Sequence, residues 1–193
     1  MGDRNSPANF FPRFQGLVAL LAVMWGLELL DWTMPGLDLD RFGIQPRSLS
    51  GLLGIVCAPV LHSSWSHLLT NTSPFVIFGG LIALNGAAEY WLVTLGCALI
   101  SGLGVWLVSP SYTITVGASG VVFGYFGYLL LRGFFERQLS SIVISVAVGF
   151  FYGSILFQVF PAERGVSWSA HFFGLLGGVM IAQFLGRRKR RLL

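Results

Sequence analysis

Residues 90–108 read YWLVTLGCALISGLGVWLV, a run of 19 residues without a charged side chain. A helix that crosses the hydrocarbon core of a bilayer needs about 20 mostly apolar residues. The whole chain of 193 residues has this character, because 54% of its residues are hydrophobic and only 10% are charged. Soluble domains are about 25% charged. The composition therefore excludes a soluble or disordered protein and predicts a multi-pass membrane protein.

Working outward from this stretch, the same length criterion predicts six spanning helices. They are residues 14–30, 67–88, 90–108, 113–131, 141–160 and 168–185. The apolar stretch 51–61 is too short to span and contains Pro59, so we interpret it as a membrane-surface element within a long loop, residues 31–66. The predicted fold class is an all-α polytopic membrane protein, a six-transmembrane-helix bundle in one domain over residues 1–193.

Basic residues in the loops predict the orientation of the bundle. Six spans put both termini on one side, which carries nine basic residues: Arg4, Arg13, Arg132, Arg137, Arg187, Arg188, Lys189, Arg190 and Arg191. The other side carries three: Arg41, Arg47 and Arg164. Basic loops stay in the cytoplasm. We therefore expect cytoplasmic termini and a basic tail, residues 186–193, whose partner is anionic lipid, not nucleic acid. The absence of a transit peptide or further domain favours a bacterial cytoplasmic membrane.

Polar side chains converge on the predicted outer side. The chain has three histidines, His62, His67 and His171. Two of them lie where predicted spans enter from outside: His67 opens the second span, and His171 is near the start of the sixth. The fourth span also starts there, with the glycine-flanked Ser119. Because polar groups inside a membrane are costly, these residues are functional candidates.

The fourth span has an unusual construction. Counted from Gly117 to Leu131, a helix of 15 residues is about 22 Å long, whereas a hydrocarbon core is about 30 Å thick. The preceding stretch, residues 109–115, is poor helix material. Irregular backbone at membrane depth is tolerated only where protein or a water-filled cavity shields it. The sequence therefore predicts a recessed, wet pocket with Ser119 at its floor.

Small residues recur at three- or four-residue spacing on the fourth span and at four-residue spacing on the sixth. They are Gly120, Gly124 and Gly127 on the fourth and Ala170, Gly174 and Gly178 on the sixth. Faces of this kind let membrane helices approach closely. Close approach is what a hydrogen bond from Ser119 to His171 requires, so we expect these two helices to pack against each other.

Three motifs now resemble those of one family. Residues 117–120 (GASG) are similar to the GxSG motif of rhomboid intramembrane serine proteases, and residues 169–174 (SAHFFG) to the AHxxG motif. Residues 62–71 (HSSWSHLLTN) resemble the HxxxxHxxxN motif. The resemblance covers the second to sixth spans in order. It implies a cofactor-free endopeptidase that cleaves transmembrane segments of other membrane proteins, near the extracytoplasmic face and beside small residues.

The resemblance also implies roles for individual residues. Ser119 is the nucleophile, and His171 is its general base. His67 and Asn71, at positions i and i+4, share a helix face, and the resemblance makes them and the Ser119 N–H donors to the oxyanion, with Gly117 in the same binding loop. Phe123 stands where many members have tyrosine, so we expect it to pack against His171 without a hydroxyl hydrogen bond.

Other residues have structural interpretations. We expect His62 to brace a loop and Glu89 to cap a helix or tie a turn.

Three other functions compete with a protease. A zinc protein could use three histidines, but no HExxH motif occurs and no acidic residue lies near them. A transporter needs polar groups at the membrane midplane, whereas these lie toward one face. An inactive rhomboid-like binding protein is the third. The sequence leaves open the substrate, the oligomeric state and the gate, for which the loop after the first span and the fifth helix both qualify.

Overall fold

The computed structural model describes residues 11–34, 36–161 and 167–190, and within them it contains helices and no strand. The α-helices are α1 (Phe11–Thr33), α2 (Leu49–Cys57), α3 (Trp65–Ala83), α4 (Ala87–Val108), α5 (Ser119–Glu136), α6 (Leu139–Tyr152) and α7 (Trp168–Arg190). Three 3-10 helices, Leu39–Phe42, Ala58–Val60 and Gly153–Val159, lie between them. The prediction of an all-α protein is confirmed.

Within the described residues, four helical segments are long and apolar enough to cross a membrane: α1, α4, α7 and the segment Leu139–Val159, which joins α6 to its 3-10 extension. A fifth arises if α2 with its following turn and α3, which meet at a bend of 71°, count as one span. These segments support a multi-pass membrane protein. The count of six spans stays a prediction, because α5 is not among them.

Helix α5 lies in the centre of the bundle, and this explains its lower hydropathy. It packs against α3, α4, α6 and α7, and its buried residues lie on every side of the helix: Gly120–Leu129 without a break, then Arg132, Gly133 and Glu136. A helix surrounded by protein contacts little lipid, so glycine and charged residues are tolerated on it. This central position presents Ser119, its first residue, at one end of the bundle. We call this end, where α3, α5 and α7 begin, the site end.

Glycines bring α5 and α7 into backbone contact. A Cβ atom added at Gly174 would overlap the carbonyl oxygen of Gly120, and one added at Gly178 would overlap that of Gly124. Neither helix can rotate or slide without forcing a side chain into this contact. The small-residue spacing in the sequence thus corresponds to the tightest helix pair of the bundle.

Several helix ends differ from the predicted ones. The predicted span 113–131 is replaced by α5 over Ser119–Glu136, 18 residues and so about 27 Å long, because the chain stays irregular as far as residue 118. The predicted fifth span, 141–160, is α-helical only to Tyr152 and then narrows to a 3-10 helix. Helix α3 ends at Ala83, not at residue 88.

The end of the bundle opposite the site contains a buried charged cluster. Arg132, predicted to lie in a loop, is 4% exposed on α5, where its Nη2 contacts Glu136 Oε2 at 3.0 Å. Lys189 joins Glu136 (2.8 Å) to Glu89 (2.7 Å), in the first turn of α4. The hydroxyl of Ser141 on α6 donates to Glu136. We call these five residues the opposite-end cluster, and it ties α4, α5, α6 and α7 together.

The cluster corrects two further expectations. Residues 186–190, predicted to begin a basic tail, form the last turns of α7. Residues 191–193 lie outside the described residues, and so do Arg4 and Arg164, which were counted in predicting the orientation. Glu89 does lie at a helix start, as expected of a cap, but it also forms the ion pair with Lys189 and accepts a hydrogen bond from the Tyr128 hydroxyl at 2.7 Å.

Helix α2 corresponds to the predicted membrane-surface element. Its residues Gly51 and Gly54 lie against the backbone of the loop at residues 43–45, where neither has room for a Cβ atom. Leu49, Leu53 and Val56 are 85%, 74% and 79% exposed on its other side. The result is a short apolar helix, packed through its glycines against the loop and apolar on its exposed side.

Candidate active site

Helix α5 begins at the site end after a sharp turn of the backbone. Gly117 has φ +114°, a conformation that glycine adopts readily and other residues rarely do. The N–H of Gly117 donates to the carbonyl of Ala58 at 2.8 Å, and the N–H of Ala118 donates to His62 Nε2 at 3.4 Å. The next N–H, that of Ser119, is in the first turn of α5, where backbone donors have no partner within the helix.

The irregular stretch before Gly117 is shielded by the loop between α1 and α2. Ile44 and Thr115 exchange two backbone hydrogen bonds, of 2.9 and 3.0 Å, in an isolated antiparallel bridge. Both backbone groups of Thr115 are therefore satisfied by protein.

The side chains of His67 and Asn71 face the Gly117 turn. A Cβ atom at Gly117 would lie 2.6 Å from His67 Cε1 and 3.6 Å from Asn71 Nδ2, so the two side chains occupy the space that this glycine leaves. Asn71 Nδ2 donates to the carbonyl of His67 at 3.2 Å. The hydroxyl of Ser63 is 3.3 Å from His67 Nδ1. When this hydroxyl donates, the hydrogen of the neutral ring is on Nε2, which faces the turn.

The ring of His171 is fixed by two contacts. It stacks on Phe123 with ring centroids 4.0 Å apart and planes 8° apart. Its Nδ1 is 2.9 Å from the carbonyl oxygen of Gln158, in the 3-10 helix after α6. No other hydrogen bond to the ring occurs within the described residues, so Nε2 is left for other chemistry.

Ser119 and His171 lie on the two helices that touch through glycine. Phe123, which stacks on His171, is four residues after Ser119 and so lies on the same side of α5. Gly120 and Ala170, the neighbours of the two residues in sequence, also face each other, because a Cβ atom at Gly120 would lie 3.4 Å from the carbonyl oxygen of Ala170. No hydrogen bond joins Ser119 to His171 among the described residues. Such bonds are often long in unliganded enzymes.

A small cavity adjoins this site. It lies between the loop at Ile44, α4, the start of α5 and Ala170, and it is lined by Gly117 and Gly120, which flank Ser119. Ser119 itself is partly exposed. The predicted pocket with Ser119 at its floor therefore stays a prediction, since the cavity is lined by the neighbours of Ser119.

His62 braces the Gly117 turn from the other side. It is 4% exposed, and its ring lies 5.2 Å from that of His67. Burial, together with the nearby His67, lowers the pKa of His62 to about 4. The ring is therefore neutral at pH 7, as it must be for Nε2 to accept the N–H of Ala118. This position agrees with the expected role in bracing a loop.

Two groups at the site were missed in the sequence. The carbonyl of Gln158 is backbone and leaves no sequence signal. Ser63 had a usable signal, because it precedes His67 by four residues and can reach the same side chain. Among the described residues, no three histidine, cysteine or acidic side chains are grouped so that they could hold a metal ion.

The fold defines a multi-pass helical membrane protein in which Ser119 and His171 lie on two contacting helices at one end of the bundle. The sequence model of the Rhomboid domain matches residues 50–188. The chain therefore belongs to the rhomboid family. An uncharacterized protein of Mycobacterium tuberculosis is 37% identical over 91% of this chain and 76% of its own length.

Relatives named as proteases are more distant. The putative rhomboid protease YdcA of Bacillus subtilis is 27% identical over 95% of this chain and 93% of its own length. The rhomboid protease GlpG of Haemophilus influenzae is 29% identical over 85% of each chain.

Proposed function

We propose that this protein is an intramembrane serine endopeptidase that uses Ser119 and His171 as a catalytic dyad. The observation that carries the proposal is that three helices bring together His67 and Asn71, which pack against the Gly117 turn, and His171, which stacks on Phe123 one turn after Ser119. Family membership supports the same activity. The substrates would be transmembrane segments of other membrane proteins, which must unwind locally to expose the scissile carbonyl group.

The chemistry follows from these positions. His171 Nε2 takes the proton of the Ser119 hydroxyl as its oxygen attacks the carbonyl carbon, and later gives that proton to the leaving amine. The Ser119 N–H, His67 Nε2 and Asn71 Nδ2 donate to the oxyanion of the tetrahedral intermediate. The partial positive charge at the N-terminus of α5 adds to this stabilisation. A water molecule then attacks the acyl-enzyme, with His171 again as base, and releases the second product.

The proposal includes the placement in the membrane. Helices α1, α3, α4, α5, α6 and α7 would be the six spans, with α2 at the surface. Both termini would lie in the cytoplasm, where the basic end of α7 contacts anionic headgroups. The site end would then face the outside of a cell membrane, which in a bacterium is the periplasmic side of the inner membrane.

The test is labelling of detergent-purified protein with a fluorophosphonate, which reacts with activated serines. We expect labelling of the native chain and none of Ser119→Ala or His171→Ala. Ser73→Ala is the matched control, because Ser73 is an exposed serine on α3, and it should label like the native chain. A folded native chain that does not label would contradict the protease and favour the inactive, rhomboid-like binding protein. That alternative draws its support from the missing hydrogen bond between Ser119 and His171.

A further inference from the structure

In the hydrogen bond between His171 and Gln158, the donor is the imidazole ring. A carbonyl oxygen only accepts hydrogen bonds, so the Nδ1 of His171, 2.9 Å away, must carry a hydrogen. In the neutral ring the lone pair is then on Nε2. A neutral imidazole in water favours the other arrangement, with hydrogen on Nε2, and could not then accept a proton from a serine at that atom.

The 3-10 helix Gly153–Val159 leaves this carbonyl free. The last carbonyl groups of a helix have no partner within the helix. The carbonyl of Phe157 accepts the N–H of Phe160 at 3.4 Å, and that of Gln158 accepts Nδ1 of His171. The side chain of Gln158 is exposed and takes no part in the contact. The 3-10 helix Gly153–Val159 thus contacts the His171 ring through a backbone carbonyl and not through the Gln158 side chain.

No acidic side chain holds the His171 ring in this tautomer. Among the described residues, no aspartate or glutamate forms a hydrogen bond or ion pair with His171. In a serine–histidine–aspartate triad, the acid holds the imidazole in the productive tautomer and stabilises the imidazolium ion. Stacking on Phe123 fixes the plane of the His171 ring but leaves the ring free to flip within that plane. A second contact is needed to choose between the two nitrogens.

We propose that the backbone carbonyl of Gln158 is the positioning group of the catalytic base, which selects the Nδ1–H tautomer of His171 and holds Nε2 toward the substrate side. This rests on the proposed function, because His171 is a base only if the protein is a protease. It also makes the competence of the base depend on the 3-10 helix Gly153–Val159, which has no buried residue of its own. A displacement of this segment would release the ring.

The first test is spectroscopic and needs no activity. Protein labelled with nitrogen-15 in its histidines is studied by nuclear magnetic resonance in detergent at pH 8, and His171→Asn assigns the His171 signals by their loss. We expect the hydrogen of the neutral His171 ring on Nδ1. A His171 ring with hydrogen on Nε2 would overturn the proposal and leave the protease assignment untouched.

The second test weakens the carbonyl. Replacing Val159 by α-hydroxyvaline turns the Gln158–Val159 amide into an ester, whose carbonyl is a weaker acceptor. We expect kcat/KM for a transmembrane substrate to fall about five- to tenfold, which corresponds to weakening one hydrogen bond, and the Nδ1–H signature to weaken. The matched control replaces Leu156 by its α-hydroxy acid, an ester in the same 3-10 helix, and it should retain the native rate.

The outcomes separate the two proposals. Equal rates for the two esters, whether high or low, would overturn the role of the Gln158 carbonyl while the native chain remains a protease. A native chain that cleaves no substrate and does not react with a fluorophosphonate would instead overturn the proposed function. The tautomer measured by resonance then still decides whether the carbonyl holds the ring.

Discussion

The ring of Phe123 lies parallel to the imidazole of His171, with centroids 4.0 Å apart and planes 8° apart. The phenyl ring belongs to the central helix that begins with Ser119, and the imidazole to the neighbouring helix α7. Because Phe123 is on the same helix as Ser119, this stacking fixes the His171 ring relative to the helix that carries the proposed nucleophile. No hydrogen bond joins Ser119 to His171 directly.

Replacing Phe123 tests the stacking. An aromatic pair of this kind contributes about 0.5–1.5 kcal/mol beyond the burial of its area, so Phe123→Leu should lower kcat/KM about two- to tenfold. Phe123→Tyr keeps the ring and adds only a hydroxyl group, and it should retain the native rate. The measurement is the cleavage rate of a transmembrane substrate in detergent. A leucine variant as active as the tyrosine variant would show that stacking does not position the base.

A substitution at Gly117 separates backbone strain from contact with His67. Gly117 and Gly86 have φ values of +114° and +117°, but a Cβ atom would meet the His67 ring at Gly117 and nothing within 4 Å at Gly86. Alanine at either position costs about 1–3 kcal/mol of unfolding free energy, because residues with a Cβ atom rarely adopt such a positive φ. Only Gly117→Ala should also displace the proposed oxyanion donor and lower kcat/KM, by at least a hundredfold as for loss of one donor. Equal activity in the two variants would contradict the placement of His67.

Alanine at Gly174 tests the contact between α5 and α7. Its Cβ atom would overlap the carbonyl of Gly120, and overpacking of this kind costs about 1–3 kcal/mol. Gly80→Ala on α3 is the matched control, since nothing lies within 4 Å and alanine is the better helix former by about 1 kcal/mol. We expect the thermal midpoint to fall for Gly174→Ala and to stay level or rise for Gly80→Ala. Unchanged midpoints in both would be evidence against backbone contact.

Replacing Lys189 tests the contribution of the opposite-end cluster to stability. It is the cation between Glu89 and Glu136, and Glu136 is 3% exposed. Lys189→Gln leaves these carboxylates with less opposing charge in a partly buried site, so we expect a loss of about 1–3 kcal/mol of unfolding free energy. Arg188→Gln removes an exposed charge from the preceding position on α7 and should change stability by less than about 0.5 kcal/mol. Detergent unfolding curves give both values, and a similar loss in each would contradict a specific role for the ion pair.

His62 predicts a dependence of stability on acid pH. Its pKa is about 4 in the folded protein, below the ordinary 6.5, because the ring is buried. Between these values the unfolded chain binds a proton that the folded chain does not, so stability is full above pH 6.5 and falls as the pH drops to 4, by about 3 kcal/mol. His62→Gln should lose less stability over this interval. Parallel midpoint curves from pH 8 to pH 4 would contradict the assignment.

Much of the fold was predictable because the bilayer imposes a simple rule. A spanning segment must satisfy its backbone internally and cover it with apolar side chains, so uncharged runs such as residues 90–108 specify helices by themselves. The spacing of Gly120, Gly124, Gly174 and Gly178 was informative for a related reason, since only small residues allow helices to touch. The helix ends were less predictable: Arg132 was assigned to a loop from the sequence, because its partners Glu136 and Asn85 are four and 47 positions away.

The candidate site also has features that the sequence predicted and features that it did not. The sequence by itself determined the membrane class, the family motifs and the candidate side chains Ser119, His171, His67 and Asn71, because these depend on residue type and spacing. Only the tertiary structure decided that Gly117 packs against His67, that His62 holds the turn and that Gln158 offers its carbonyl to His171. These contacts join segments up to 56 residues apart, and one is made by backbone, which every residue has. Such contacts depend on the relative positions of packed helices, and no local pattern of side chains encodes those.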